Sequence, residues 1–237
     1  MARHLTPMTT DTFSSKYTGE KAANNANGVD KQQKSGKIRE KSIEHILSAA
    51  QHEFVINGFK GTTIQAIADR AGLPKANIHY YFKNKDNLIH AVLENILDLW
   101  DEVLGDISVD DDPKEVLAHF IRTKVRMSFT HPGPSKLFAM EIIQGAQHLK
   151  DYARTYLRKW VREKAKVFEL WIEQGKMSKV DPVHLIFLIW SSTQHYADFE
   201  TQILTIMNRG EYEEEDVEHI SEFLCTIIIR GCGIEYP

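Results

Sequence analysis

The chain has 237 residues, 42% of them hydrophobic and 26% charged, with a formal net charge of −4. That is enough apolar content for one large or two small cored domains. No apolar run reaches the roughly 18 residues of a membrane span, and no apolar signal-peptide centre stands near the start, so a bacterial cytoplasmic location is expected.

The charge is unevenly placed. Residues 37–90 carry eight Lys/Arg against five Asp/Glu, residues 1–36 carry five against three, and the remainder carries sixteen against twenty-five. Positive charge at one end suits phosphate neutralisation and counterion release. The acidic remainder suggests a body with another task.

In chain order, residues 1–36 lack helical periodicity and contain Asn24-Asn25-Ala26-Asn27-Gly28. They read as a disordered basic arm: either an untethered tail, or an arm whose Lys31, Lys34 and Lys37 reach phosphates or an adjacent groove. A helix is expected over 38–57, with Ile43, Ile46, Leu47, Ala50 and Phe54 inward and Gly58-Phe59 closing it. Thr62 or Thr63 caps the next helix, near 63–71, by accepting from a first-turn amide. Ile64, Ile67, Ala68 and Ala71 give it one apolar face. Gly72 stops it in a left-handed conformation, and Pro74 can open a short helix near 75–81. In that helix Ile78 and Phe82 point to the core, and Ala76, Asn77, His79 and Tyr80 point outward. Asn77 and His79 have base-edge length, while Lys75, Tyr80 and Lys85 offer donors to phosphates. An ordinary helical hairpin with solvated polar residues is the bland alternative.

The segment 38–88, with its Tyr80-Tyr81-Phe82-x-x-Lys85-Asp86-x-Leu88 ending, resembles the DNA-binding domain of the TetR family. The resemblance implies a three-helix helix-turn-helix head over 37–84. It also implies that His79 and Tyr80 contact DNA and that Lys85, where the fourth helix opens, binds a phosphate; with the outward and capping residues read above, the expected DNA-binding set is Thr62, Thr63, Lys75, Ala76, Asn77, His79, Tyr80 and Lys85. Ala76 stands where the family often has glycine, and Pro74 where it often has serine; both bear on base preference rather than on the fold. The expected fold class is all-α: this head plus a larger helical ligand-sensing and dimerisation domain over 85–237.

In that body, a helix from Lys85 to Leu104 carries Leu88, Val92, Leu93, Ile96 and Trp100 on one side. Asp110-Asp111-Asp112-Pro113 marks a loop and a start. Helices follow near 113–130, 135–145 and 148–175, the last stopped by Gly175. Another begins at Asp181-Pro182 and runs to about 208, and a final one covers 214–230. No strand alternation, internal repeat, zinc-type spacing or phosphate-binding glycine loop appears, so no catalytic residue, metal or cofactor is expected. Cys225 and Cys232, seven apart on the last helix, fit two reduced thiols, with a redox switch as the sharper alternative.

The segment 185–190 is apolar all round, which implies burial on more than one side. The final helix carries Ile220, Phe223, Leu224, Ile227 and Ile228 at helical spacing. A palindromic operator calls for a homodimer, so an interface through Phe199, Ile203, Phe223, Leu224 and Ile227 is expected, against the alternative that both helices serve their own subunit.

The segment 184–199, with Leu137-Phe138-Ala139-Met140-Glu141 and Gly175-Lys176, resembles the body of uracil-responsive TetR-family regulators of pyrimidine utilisation. That resemblance implies a small pyrimidine effector, control of pyrimidine catabolism, and release of operator DNA. A flat neutral ring needs apolar walls and a few fixed polar partners. Trp190, Thr193, Gln194 and Tyr196 offer them on one helix, with Glu141, Trp171 and Asp198 from its neighbours. Gln194 can donate to and accept from one ring edge. Each has the alternative of a core residue with a satisfied tip, and His195 fits ligand, core or dimer contact equally. The rival is a regulator of lipophilic or fatty-acyl ligands, with Phe138, Met140, Trp171, Phe187 and Trp190 lining a long apolar tunnel. A body with no cavity would instead suit a purely architectural DNA binder. An enzyme would need a site assembled wholly by folding.

Overall fold

A computed structural model describes the backbone of residues 29–101 and 104–237 and the side chains of 37–100 and 104–237. It is all-helical, with no strand among the described residues.

Helix α1 runs Val29–Gly61, so its first turns lie inside the segment expected to be irregular. The physical reason is propensity: Lys and Gln at 31–34 are good helix formers and need no apolar face to extend an existing helix. Residues 1–28 of the expected arm lie outside the described residues. Gly58, at φ 65 and ψ 172, breaks α1 where a side chain would be strained.

Helix α2 (Ile64–Ala71) opens on Thr63, whose side chain accepts from the Ala66 amide at 3.1 Å. It closes on Gly72 at φ 63 and ψ 29. Pro74, extended at ψ 140, sits immediately before α3 (Lys75–Phe82) rather than inside it. Helix α4 (Lys85–Asp101) then leaves the head. Ile46, Phe54, Ile67, Ile78, Phe82, Leu88 and Leu93 form one core with Leu137 and Leu149 of the body. The head is therefore continuous with the base of the body along α4.

A second core fills the body between α5 (Pro113–Thr130), α8 (Arg158–Glu173), α9 (Pro182–Asp198) and α11 (Glu214–Gly231), around Phe120, Phe168, Trp171, Ile186 and Ile228. Asp112 and Asp181 cap α5 and α9 through side-chain acceptors, each followed by proline in the first turn. Glu213 and Asp216 form a reciprocal capping box on α11. Helix α6 (Pro132–Ile143) joins the two cores.

The expected helix over 148–175 is α7 (Lys150–Tyr152), a π-helical turn over Ala153–Leu157, and α8. The one expected over 182–208 breaks at Phe199, φ −115 and ψ 27, into α9 and α10 (Glu200–Met207). No glycine or proline marks that corner, which is why periodicity runs through it.

A candidate DNA-reading head and an aromatic cavity

The reading face of α3 follows from its core face. Ile78 and Phe82 are buried, which turns Lys75, Ala76, His79 and Tyr80 to solvent and leaves Asn77 half-buried. Tyr80 is 76% exposed, far more than an aromatic ring needs for packing. The His79 ring Nδ1 lies 3.0 Å from the Lys83 carbonyl oxygen. If Nδ1 carries the proton and donates to that oxygen, Nε2 is left as an outward acceptor, able to meet a base-edge amine. Thr63 is exposed at the start of α2.

Two residues expected on DNA make hydrogen bonds within the protein, Thr62 from a buried position and Lys85 from a half-exposed one. Thr62 is buried, and its hydroxyl lies 2.9 Å from the Glu53 carbonyl and 2.8 Å from that of Gly58. It locks the end of α1 rather than meeting a phosphate. The Lys85 ammonium donates to the carbonyls of Phe59 at 2.7 Å and Thr62 at 2.9 Å, and lies 4.5 Å from the centre of the Phe59 ring. Two of its three donors are thus used on the protein, and its work is to tie the start of α4 to the turn after α1. Arg70 is likewise committed, to Glu53 at 2.6 Å.

The body contains a cavity of about 260 Å³. It lies on the seam between the two cores: Leu97 belongs to the head-side core and Phe120 to the body core, and both line it. Its walls are Trp100 from α4, Phe138 from α6, Tyr152 and Tyr156 from α7 and the π turn, Trp160 from α8 and Trp190 from α9. Trp160 and Trp190 have ring centres 5.7 Å apart, and Trp100 and Phe138 meet edge to face at 4.8 Å. Gln194 and Lys124 bring polar groups to these walls.

Of the seven residues expected on a ligand, Trp190 and Gln194 line this cavity, and five are elsewhere. Trp171 is fully buried and donates its indole N–H to the Val109 carbonyl at 3.1 Å. Thr193 is fully buried and donates to the Ile189 carbonyl at 2.7 Å. Tyr196 packs near Phe129, with ring centres 6.2 Å apart. The Asp198 carboxylate accepts from Ser135 Oγ at 2.6 Å. Glu141 accepts from the His148 amide at 2.6 Å and pins the corner between α6 and α7. The reason is rotation: residues 190 and 194 are one turn apart, whereas 193 and 196 sit at other angles around α9.

On the outer face of the body, Phe223 is 54% and Ile227 58% exposed on α11. Phe187, Leu188 and Phe199, at the C-terminal end of α9, are also exposed. Ile203 is half-buried. Leu224 is the exception: at 6% exposed it packs in the subunit's own core, turned away from the exposed strip of Phe223 and Ile227.

Two family models together span most of the chain. Residues 46–92 match "Bacterial regulatory proteins, tetR family", and residues 93–235 match "YcdC-like protein, C-terminal region". The chain belongs to the TetR family. Among its relatives, the HTH-type transcriptional regulator RutR of Escherichia coli strain K12 is 40% identical over 186 residues, 78% of this chain and 88% of that protein. A Clostridium perfringens putative fatty acid metabolism regulator superposes with a TM-score of 0.64 at 22% identity, covering 81% of this chain and all 100% of its own. The ketosteroid transcriptional regulator KstR2 of Mycobacterium tuberculosis gives 0.64 at 18% identity, covering 80% and 93%. At those identities the two structures share the fold.

The TetR-type chain is thus a transcriptional regulator and not an enzyme. No helix among its described residues is long and apolar enough to cross a membrane, and no cluster of potential metal ligands occurs among them. Cys225 and Cys232 are free and buried. Burial pushes the Cys232 thiol up to about 11, which keeps it protonated and unreactive. The cavity residues that sequence reasoning missed include Trp100, Lys124, Tyr152, Tyr156 and Trp160, contributed by separate helices. The spacing puts Trp100 on the apolar side of α4, but nothing in the sequence says what that side faces.

Proposed function

We propose that this regulator binds a palindromic operator as a homodimer, most plainly as a repressor, and that a small pyrimidine such as uracil releases it. The DNA contacts come from Thr63, Lys75, Ala76, Asn77, His79 and Tyr80. The dimer forms through the outer faces of α9 and α11, with Phe199, Ile203, Phe223 and Ile227 buried between subunits and the two α3 helices about 34 Å apart. The controlled genes are those of pyrimidine catabolism.

The observation that carries the reading is the position of the cavity. A ligand held between Leu97 and Trp100 on one side and Phe120 and Trp190 on the other touches both cores at once. Any ligand that prefers one arrangement of the cores shifts α4, and α4 is tied to the head by Lys85. The effector must bind the DNA-free arrangement more tightly, or no release follows. The size suits a small ring stacked on indoles, and Gln194 supplies an amide for its edge. The resemblance of 184–199 to pyrimidine-utilisation regulators points the same way.

The nearly apolar lining favours a second reading, a small lipophilic effector. Electrophoretic shifts on operator DNA separate the two. Release by uracil and not by a medium-chain fatty acid is expected; binding that survives saturating uracil refutes the pyrimidine.

A further inference from the structure

The charged side chain in the cavity wall is Lys124. The residue is 5% exposed, and its ammonium lies 4.7 Å from the centre of the Trp100 ring. An ammonium has three N–H donors, and no hydrogen bond from Nζ to a described residue is formed. A ring face returns only part of the solvation that burial removes. Asp198 is too distant for an ion pair, and its carboxylate already accepts from Ser135 Oγ at 2.6 Å. Burial pushes Lys124 down to about 8 while the Asp198 charge pulls it back up. Among the described residues, the other titratable groups lining the cavity are the Tyr152 and Tyr156 phenols, and α4, α6 and α8 present apolar and aromatic residues there. No fully buried side-chain nitrogen or oxygen among the described residues lacks a partner, so Nζ opens on the cavity, where whatever fills the aromatic slot must meet its donors, and a ligand oxygen would do so.

We infer that Lys124 is the electrostatic partner of the effector: the aromatic walls hold a planar ring, and Nζ donates to a ring oxygen that carries full or partial negative charge. Resting on the small-ring reading above, the ligand class is a cyclic imide, whose –CO–NH–CO– edge offers one carbonyl to Lys124 and its neighbouring N–H and carbonyl to the Gln194 amide. The ammonium draws electron density onto the carbonyl it meets and favours the more acidic imides. Lys124 is then the residue that separates imides from purely lipophilic ligands of similar size.

Calorimetric titration of the full-length dimer with uracil and with barbiturate tests this, for wild type, Lys124→Met and Lys124→Gln. Methionine keeps the packed stem, and glutamine keeps a polar tip without charge. Wild type is expected to prefer barbiturate, and its affinity for uracil to fall about tenfold between pH 7 and pH 9 as the ammonium is lost. Both variants are expected to bind each imide at least about tenfold more weakly and to lose that pH response. The variants also remove the ligand's own ionisation from the comparison. Equal affinity and equal pH response in wild type and variants overturn the inference. If wild type binds neither imide, the pyrimidine reading falls, and benzoate and octanoate decide the role of Lys124. Carboxylate binding that disappears in Lys124→Met upholds it; carboxylate binding that is unchanged, or absent from wild type, overturns it.

Discussion

The polar side chains inside the head close on the protein itself. Thr62 reaches two carbonyls, Lys85 reaches two more, and Glu53 holds both Arg70 and Asn57. Around the cavity the pattern differs: Lys124 is buried with a ring face for a neighbour, and Gln194 faces a space. A region with satisfied polar groups is built to keep one shape. A region with unspent donors is built to receive something. On the function proposed above, the head is a rigid reader, and the seam above it is where a small molecule would change its placement.

The largest way to break this division is to separate the two readers. Phe223→Glu with Ile227→Glu puts charge into the expected subunit interface while leaving Leu224 in the core. Light scattering is expected to show a folded monomer. Operator affinity should fall by about a thousandfold, because the second head no longer binds as part of one molecule. A dimer that persists places the interface elsewhere.

A smaller effect sharpens the description of the head as a closed unit. Lys85→Met keeps the stem over Phe59 and removes two charge-assisted hydrogen bonds. It is expected to cost about 2–3 kcal/mol in urea unfolding, with operator binding lost as a consequence. A variant that weakens DNA binding at unchanged stability would instead assign Lys85 to phosphate. The outward face gives the converse case. His79→Ala and Tyr80→Ala should each cost about 1–3 kcal/mol of operator affinity, with the melting temperature unmoved, since neither side chain enters the core.

These cases also mark what the sequence made legible. Ile64, Ile67, Ile78 and Phe82 gave the head by local periodicity, and Thr63 and Gly72 gave its cap and its stop. Thr62 and Lys85 also bond to carbonyls of the protein, which residue type alone does not reveal, since it does not say whether a polar tip points out or folds back on α1. Leu224 and Phe223 are equally apolar, and only the angle around α11 separates a core residue from a surface one. The cavity was the least legible part. It is assembled from α4, α5, α6, the α7–π corner, α8 and α9, so no single window of sequence contains it. Of the candidates Trp190, Thr193, Gln194 and Tyr196 on α9, Trp190 and Gln194 line the cavity, one turn apart, and Thr193 and Tyr196 do not. Lys124 lies on α5, away in sequence from every other polar group of the cavity, and no local pattern singles it out.

The smallest effect concerns that lysine without any ligand. Its folded value of about 8 lies below the ordinary 10.5, so between those values the unfolded chain binds more protons than the folded one. Its contribution to stability therefore rises as pH increases through 8. Cys232 acts in the opposite sense: its thiol is raised from 9.0 to about 11, so its contribution falls above pH 9. Tyr212 and Tyr236, each raised from 10.0 to about 12, oppose the rise from pH 10 upward. The window from pH 7 to 9 consequently isolates Lys124. Urea unfolding of wild type is expected to gain about 1 kcal/mol across it relative to Lys124→Met. The variant should also be the more stable at pH 7, where wild type still carries the buried charge. Parallel curves would mean that Nζ is solvated through the cavity, and the contrast between a closed head and an unsatisfied seam would then lose its energetic basis.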